Sequence, residues 1–128
     1  MNTGRNVRVL VIDDDEETRD GFAVMLQSLG ARVQTTASAA EGFKALAEFK
    51  PDVLLCDIAM PEEDGYSFIR KIRKLKPRQG GKTPAIAVTA YAAAEDVTRA
   101  LEAQFNMHIA KPVDIVSLSH AIANLAKL

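Results

Sequence analysis

Five residues with reactive or hydrogen-bonding side chains follow short apolar segments. Asp13 and Asp14 follow VRVLVI, Asp57 follows VLLC, Thr89 follows AIAV and Lys111 follows MHIA. Their types define a chemistry if the segment ends meet. Clustered carboxylates repel one another unless a cation or a proton joins them. A few hard oxygen ligands with room for water suit Mg²⁺. A carboxylate can also attack phosphorus and form an acyl phosphate. The charge on that phosphoryl group then needs a metal, a cation and a hydrogen-bond donor. The acids, Lys111 and Thr89 would supply that set.

The elements around these residues predict how they are placed. Residues 7–12 are β-branched and apolar and read as a buried strand. Asp15 is the cap candidate for a helix with Phe22, Met25, Leu26 and Leu29 on one face and Gly30 just past its end. Residues 31–36 (ARVQTT) form a more polar strand, expected at a sheet edge. Ser38 and Glu41 make a capping box for a helix carrying Phe43, Leu46 and Ala47 inward, ended by Pro51. Residues 53–56 are a short apolar strand, and Asp64 caps a helix with Phe68, Ile69, Ile72 and Leu75 inward. Residues 76–83 (KPRQGGKT) look like a linker. Residues 85–88 form a fourth strand, followed by a helix over about 93–103 that buries Val97, Ala100 and Leu101. Met107–Ala110 is the fifth strand. From about Asp114 a last helix presents Ile115, Leu118, Ile122 and Leu125.

Alternating strands and helices imply an α/β fold, a doubly wound parallel sheet with helices on both faces. The length suits the flavodoxin-like five-stranded order 2-1-3-4-5 with five helices. In that order strands 1, 3, 4 and 5 are neighbours, so the five residues converge on one rim, where such sheets bind ligands.

The chain has 128 residues, 48% hydrophobic and 26% charged, an ordinary balance for one globular domain. Sixteen Lys and Arg nearly cancel seventeen Asp and Glu. No global positive field draws it to nucleic acid or an anionic membrane. Cys56, the one cysteine, excludes an intramolecular disulfide and a cysteine metal cluster and reads as a buried strand residue. No apolar run is long enough to span a bilayer or act as a secretory signal, so the expected location is cytoplasmic.

VLVIDDD, LLCDIAMPEEDG, AVTA and AKP resemble the receiver domains of two-component response regulators. The likeness covers nearly the whole chain, taken as a single receiver domain of residues 1–128 with its core at about 7–126, and no output domain is expected after it. It implies a phosphoacceptor switch in a phosphorelay, not a classical enzyme: Asp57 would be phosphorylated and dephosphorylated by the domain's own catalysis. Asp14 would bind Mg²⁺ or Mn²⁺ directly and Asp13 largely through water, with Asp57 and the backbone carbonyl of Ala59 as further ligands. Thr89 would hydrogen-bond the phosphoryl group and Lys111 would pair with it. The Lys111–Pro112 peptide is commonly cis in this family. The donor would be a phosphohistidine on a sensor histidine kinase or a histidine phosphotransfer protein. A downstream protein would meet the face made by the fourth helix, fifth strand and fifth helix. FNMHIAKPVD is similar to receivers at the C-termini of hybrid sensor histidine kinases.

Three positions depart from or tune that pattern. His108 stands where the family usually has Tyr or Phe, and Tyr91 supplies an aromatic close by. Ala59 and Tyr91 occupy positions that often set hydrolysis in the family. Ala59 cannot orient an attacking water and Tyr91 is bulky enough to shield phosphorus, so a long-lived acyl phosphate is expected. Two alternatives stand beside this reading. One is a phosphorylation-independent binding module of the same fold. The other is a Mg²⁺-dependent aspartyl phosphohydrolase, disfavoured because Ala59 stands where its second acid would be.

Overall fold

The computed structural model describes residues 7–90 and 94–126. Its elements are β1 (Arg8–Ile12), α1 (Glu16–Ser28), β2 (Arg32–Thr36), α2 (Ala39–Phe49), β3 (Val53–Asp57), α3 (Gly65–Arg73), β4 (Ala85–Thr89), α4 (Ala94–Glu102), β5 (Met107–Ala110) and α5 (Ile115–Ala126). The strands are parallel and ordered β2-β1-β3-β4-β5, the expected flavodoxin-like arrangement. The polar β2 lies at an edge.

The period of two along each strand sorts side chains into two layers. Leu10, Ile12, Leu54, Cys56, Ala85 and Ala87 meet α2, α3 and α4 through Leu46, Phe68, Ile69, Ile72 and Ala100. Val9, Val11, Val53, Leu55, Ile86 and Val88 meet Phe22 and Leu26 of α1 and Leu118 and Ile122 of α5. Burying each such Leu, Ile or Phe side chain contributes about 1.5–3 kcal/mol. Strands covered on both faces must be apolar throughout, which is why β1, β3 and β4 lack alternation.

Side-chain caps set several helix starts. Asp15 Oδ2 accepts from Thr18 N at 3.0 Å, Ser38 Oγ from Glu41 N at 3.2 Å, Asp64 Oδ1 from Ser67 N at 2.9 Å and Asp114 Oδ1 from Ser117 N at 2.7 Å. They fix where each helix leaves the rim that follows a strand.

Four expectations are corrected. Ala47 is exposed; α2 turns Ala39, Gly42, Ala45 and Leu46 to the sheet instead. Gly42 permits that approach, since a Cβ there would lie 2.7 Å from Ile12 Cγ1. Leu101 is 50% exposed because Ala100 and Ala103 already occupy the inward face of the chain around α4, and one helical step turns Leu101 away. Ile115 is 41% exposed, since it opens α5 a turn before Leu118 reaches the core. Residues 76–83 are no loose linker. They hold a 3₁₀ turn, Pro77–Gln79, and Arg73 ties them down by donating to Gly81 O at 3.1 Å and Thr83 O at 2.7 Å. No helix among the described residues is long and apolar enough to cross a membrane.

Candidate functional site

The carboxyl ends of β1, β3, β4 and β5 form one rim. Asp13 follows β1 directly and is almost fully buried, while Asp14 is exposed. Asp57 is the last residue of β3, one place inside the strand rather than after it, and 6% exposed. Thr89 ends β4, also buried, and its carbonyl accepts from Lys111 N at 2.8 Å. That bond carries the β4–β5 pairing past Ala110 and delivers the Lys111 side chain to the rim.

Carboxylate oxygens of Asp13, Asp14 and Asp57 all lie within 4.8 Å of one another. Lys111 Nζ is 3.2 Å from Asp13 Oδ2 and 3.7 Å from Asp57 Oδ1. Three carboxylates facing one ammonium leave a surplus of two negative charges when all are ionised. Burial pushes the Asp57 carboxyl up to about 6, and the Asp13 carboxylate adds to the rise; Lys111 and the Ala59 N–H oppose it. A group of hard oxygens with that surplus fits a divalent cation of the Mg²⁺ type. Asp13, Asp14 and Asp57 could hold one.

Backbone contacts fix the cluster. Asp13 Oδ1 accepts from Asp15 N at 2.9 Å, and Arg19 Nη1 donates to Asp13 O at 2.9 Å. Asp57 Oδ1 accepts from Ala59 N at 3.3 Å. Behind Asp57, Gly65 N donates to Ile58 O at 2.9 Å, and a Cβ on Gly65 would lie 2.8 Å from Asp57 O. Only glycine lets α3 begin this close to the loop that carries the acid. Arg19 and Gly65 are site-building residues that the sequence reading passed over. Gly65 left one signal, its place directly after the Asp64 cap; an arginine six residues beyond an acid leaves none.

The other candidates fall as follows. Ala59 is exposed beside Asp57, and the Lys111–Pro112 peptide is cis. His108 sits on β5 opposite Ala87, and its Nε2 is buried without a hydrogen-bond partner among the described residues. Tyr91 lies outside the described residues. Cys56 is buried, its thiol pushed well up by desolvation, and Sγ donates to Asp57 O at 3.3 Å. It is a packing residue, as expected.

The family model described as the response regulator receiver domain matches residues 9–123. An uncharacterised 14.6 kDa protein of the sodA1 3′ region of Leptolyngbya boryana is 42% identical over 92% of this chain and 88% of its own length. Hybrid signal transduction histidine kinase D of Dictyostelium discoideum is 38% identical over 93% of this chain, which spans only 8% of that kinase. Among solved structures, the receiver domain of sensor histidine kinase PA1611 from Pseudomonas aeruginosa superposes with a TM-score of 0.87. It shares 29% identity, covers 96% of this chain and 99% of its own, and has a magnesium ion coordinated in its active-site cleft. With its five strand-end residues gathered on the rim where this fold binds ligands, and with relatives of this kind along almost its full length, the chain belongs to the response regulator receiver domain family of two-component signalling.

Proposed function

We propose that the chain, as one receiver module with its core at about residues 7–126, is a phosphoacceptor switch whose acceptor is Asp57. The observation that carries this is the position of Lys111 Nζ between the carboxylates of Asp13 and Asp57, with Asp14 completing the acidic group. An Asp57 carboxylate oxygen attacks the phosphorus of a partner's phosphohistidine. The P–N bond breaks, the imidazole leaves, and an acyl phosphate forms on Asp57. Asp13, Asp14, Asp57 and the Ala59 carbonyl would hold a Mg²⁺ ion, which would supply charge neutralisation on the phosphoryl oxygens. Lys111 moves its ammonium toward the same oxygens, and the Thr89 hydroxyl donates to them. The partner is a sensor histidine kinase or a histidine phosphotransfer protein, and the setting is cytoplasmic.

Phosphorylation must favour one of two conformations to act as a signal. Thr89 and Lys111 are joined through the backbone to β5, so their shift toward the phosphoryl group reaches the face of α4, β5 and α5. Leu101 and Val116 are exposed there, as a partner surface requires. His108 takes the switch position; its Nε2, without a partner among the described residues, gains a hydrogen bond in one rearranged state. His108→Phe should then change partner affinity while leaving phosphorylation intact. Ala59 offers no polar group to position water, so the acyl phosphate is long-lived, and Ala59→Asn should shorten its lifetime several-fold. An equal or longer lifetime in that variant removes the tuning role.

The test is incubation with acetyl phosphate and Mg²⁺, read by intact mass, beside Asp57→Asn and a Mg²⁺-free control. A gain of one phosphoryl group, lost in both controls, is expected. No gain under conditions that label a known receiver overturns the reading in favour of a phosphorylation-independent binding module.

A further inference from the structure

At the opposite end of the sheet, where the strands begin, α2 and the segment leaving α3 enclose a cleft of about 470 Å³. Phe43, Leu46, Leu75 and Pro77 give it apolar walls. Among the described residues, its charged lining side chains are Lys50 and Arg78, and no carboxylate lines it, in a chain where acids outnumber bases. Both cations are exposed, and neither makes an ion pair among the described residues. The walls are preformed. Gly80, at φ 98°, packs so tightly that a Cβ would sit 3.0 Å from Leu46 Cγ, and a Cβ on Gly81 would collide with the Leu75 carbonyl.

Lys50 adds an independent observation. It caps α2 in the left-handed region, at φ 52°, donating to Leu46 O at 3.1 Å. Glycine is the residue that takes such a helix end without strain. Here a lysine holds the strained position, and it is one of the residues that line the cleft. A strained residue at a cavity is a sign of a binding role. We propose that this cleft binds a small amphipathic organic anion, apolar body on the Phe43, Leu46 and Leu75 walls and anionic head toward Lys50 and Arg78. The size supports a small molecule: ligand pockets run from about 300 to 1,000 Å³. A protein partner would need roughly 800 Å² of surface per side. The site is remote from Asp57 and does not depend on the phosphorylation chemistry.

The test is a ¹⁵N–¹H NMR titration of the full chain with octanoate, with 4-ethylbenzoate as an aryl arm and octylammonium and octanol as controls. Saturable shifts confined to residues 43–50 and 75–83, produced by either carboxylate and not by the controls, are expected; the tighter carboxylate identifies an alkyl or an aryl ligand. Lys50→Gly should weaken binding about threefold, and with Arg78→Gln about tenfold. Lys50→Gly should also raise Tm or leave it unchanged, because it relieves the left-handed strain, so lost binding is not lost folding. Equal binding of octylammonium or octanol, shifts elsewhere, unchanged affinity in both variants, or response only to an acidic peptide would each overturn the proposal.

Discussion

The two rims of one sheet are built on opposite electrostatic rules. At the carboxyl ends of the strands, three acids crowd around one lysine, and a buried carboxyl titrates near 6. At the amino ends, the polar groups around Arg73 and Asp52 are matched by hydrogen bonds. Arg73 donates to Gln104 O, Gly81 O, Thr83 O and Asn106 Oδ1, and the same Asn106 oxygen accepts from Ala85 N at 2.8 Å. Asp52 Oδ2 accepts from Arg8 N at 2.8 Å. The lower rim ties strand starts to the helices before them. The upper rim keeps like charges close, which costs stability and suits the cation and phosphoryl group of the proposed function. The same backbone architecture thus holds a stabilising end and a reactive end about one strand length apart.

That contrast predicts opposite responses to removing charge. Arg73→Ala should destabilise the protein by about 3 kcal/mol, through four lost hydrogen bonds and the carbonyls left behind, while phosphorylation of the folded fraction is unchanged. Denaturant unfolding and intact-mass labelling, run on the same sample, check both halves. A mild stability loss would show that the lower rim is not the structural end it is taken for.

Metal should act only on the upper rim. Mg²⁺ at 100 times its dissociation constant should stabilise the wild type by about 2.7 kcal/mol. Arg73→Ala should gain the same increment, and Asp14→Asn and Asp57→Asn much less. Melting curves with and without Mg²⁺ read this directly, and equal gains in all variants would dissolve the distinction.

Without metal, Asp57→Asn should abolish labelling yet stabilise the fold by about 3 kcal/mol at pH 7.5. The folded carboxyl holds its proton up to about pH 6, against an ordinary 3.8. Folding therefore favours the protonated form. Its stabilising contribution is complete below about pH 4 and is lost as the pH rises through 6. In EDTA, the stability difference between wild type and Asp57→Asn should grow across that window and level off above it. A flat difference from pH 4 to 8 would contradict the strained upper rim.

The smallest effect belongs to a surface cap. Hydrogen bonds from Ser117 hold the Asp114 carboxyl below its ordinary value. Its contribution to stability is present above about pH 4 and is lost as the pH falls further. Asp114→Ala should lower Tm slightly at pH 7 and not at pH 2.5, with labelling unaffected.

Much of this was legible in the residues. Short apolar runs ending at Asp13, Asp57, Thr89 and Lys111 located the strands, and Asp15, Ser38 and Asp64 located helix starts, because caps and buried strands have local causes. Side-chain direction on α2 and α4 was less legible. Ala47 and Leu101 fit an apolar stripe as well as their neighbours do, and helix position against the sheet decided which residue turned inward. Residues 76–83 look like a linker because their anchor, Arg73, lies in the preceding helix and its partners are mostly backbone carbonyls, which no residue pattern reveals.

The sequence alone determined the alternation of strands and helices, the family, and which residues could carry phosphoryl chemistry, since periodicity, turn chemistry and residue type act locally. Tertiary structure alone decided that Lys111 lies within 3.2 Å of Asp13, 98 positions away along the chain, that Gly65 must lack a side chain, and that Lys50 and Arg78 share a cleft. Those facts depend on strand order and on how closely each helix packs, and long-range packing leaves no local trace in the chain.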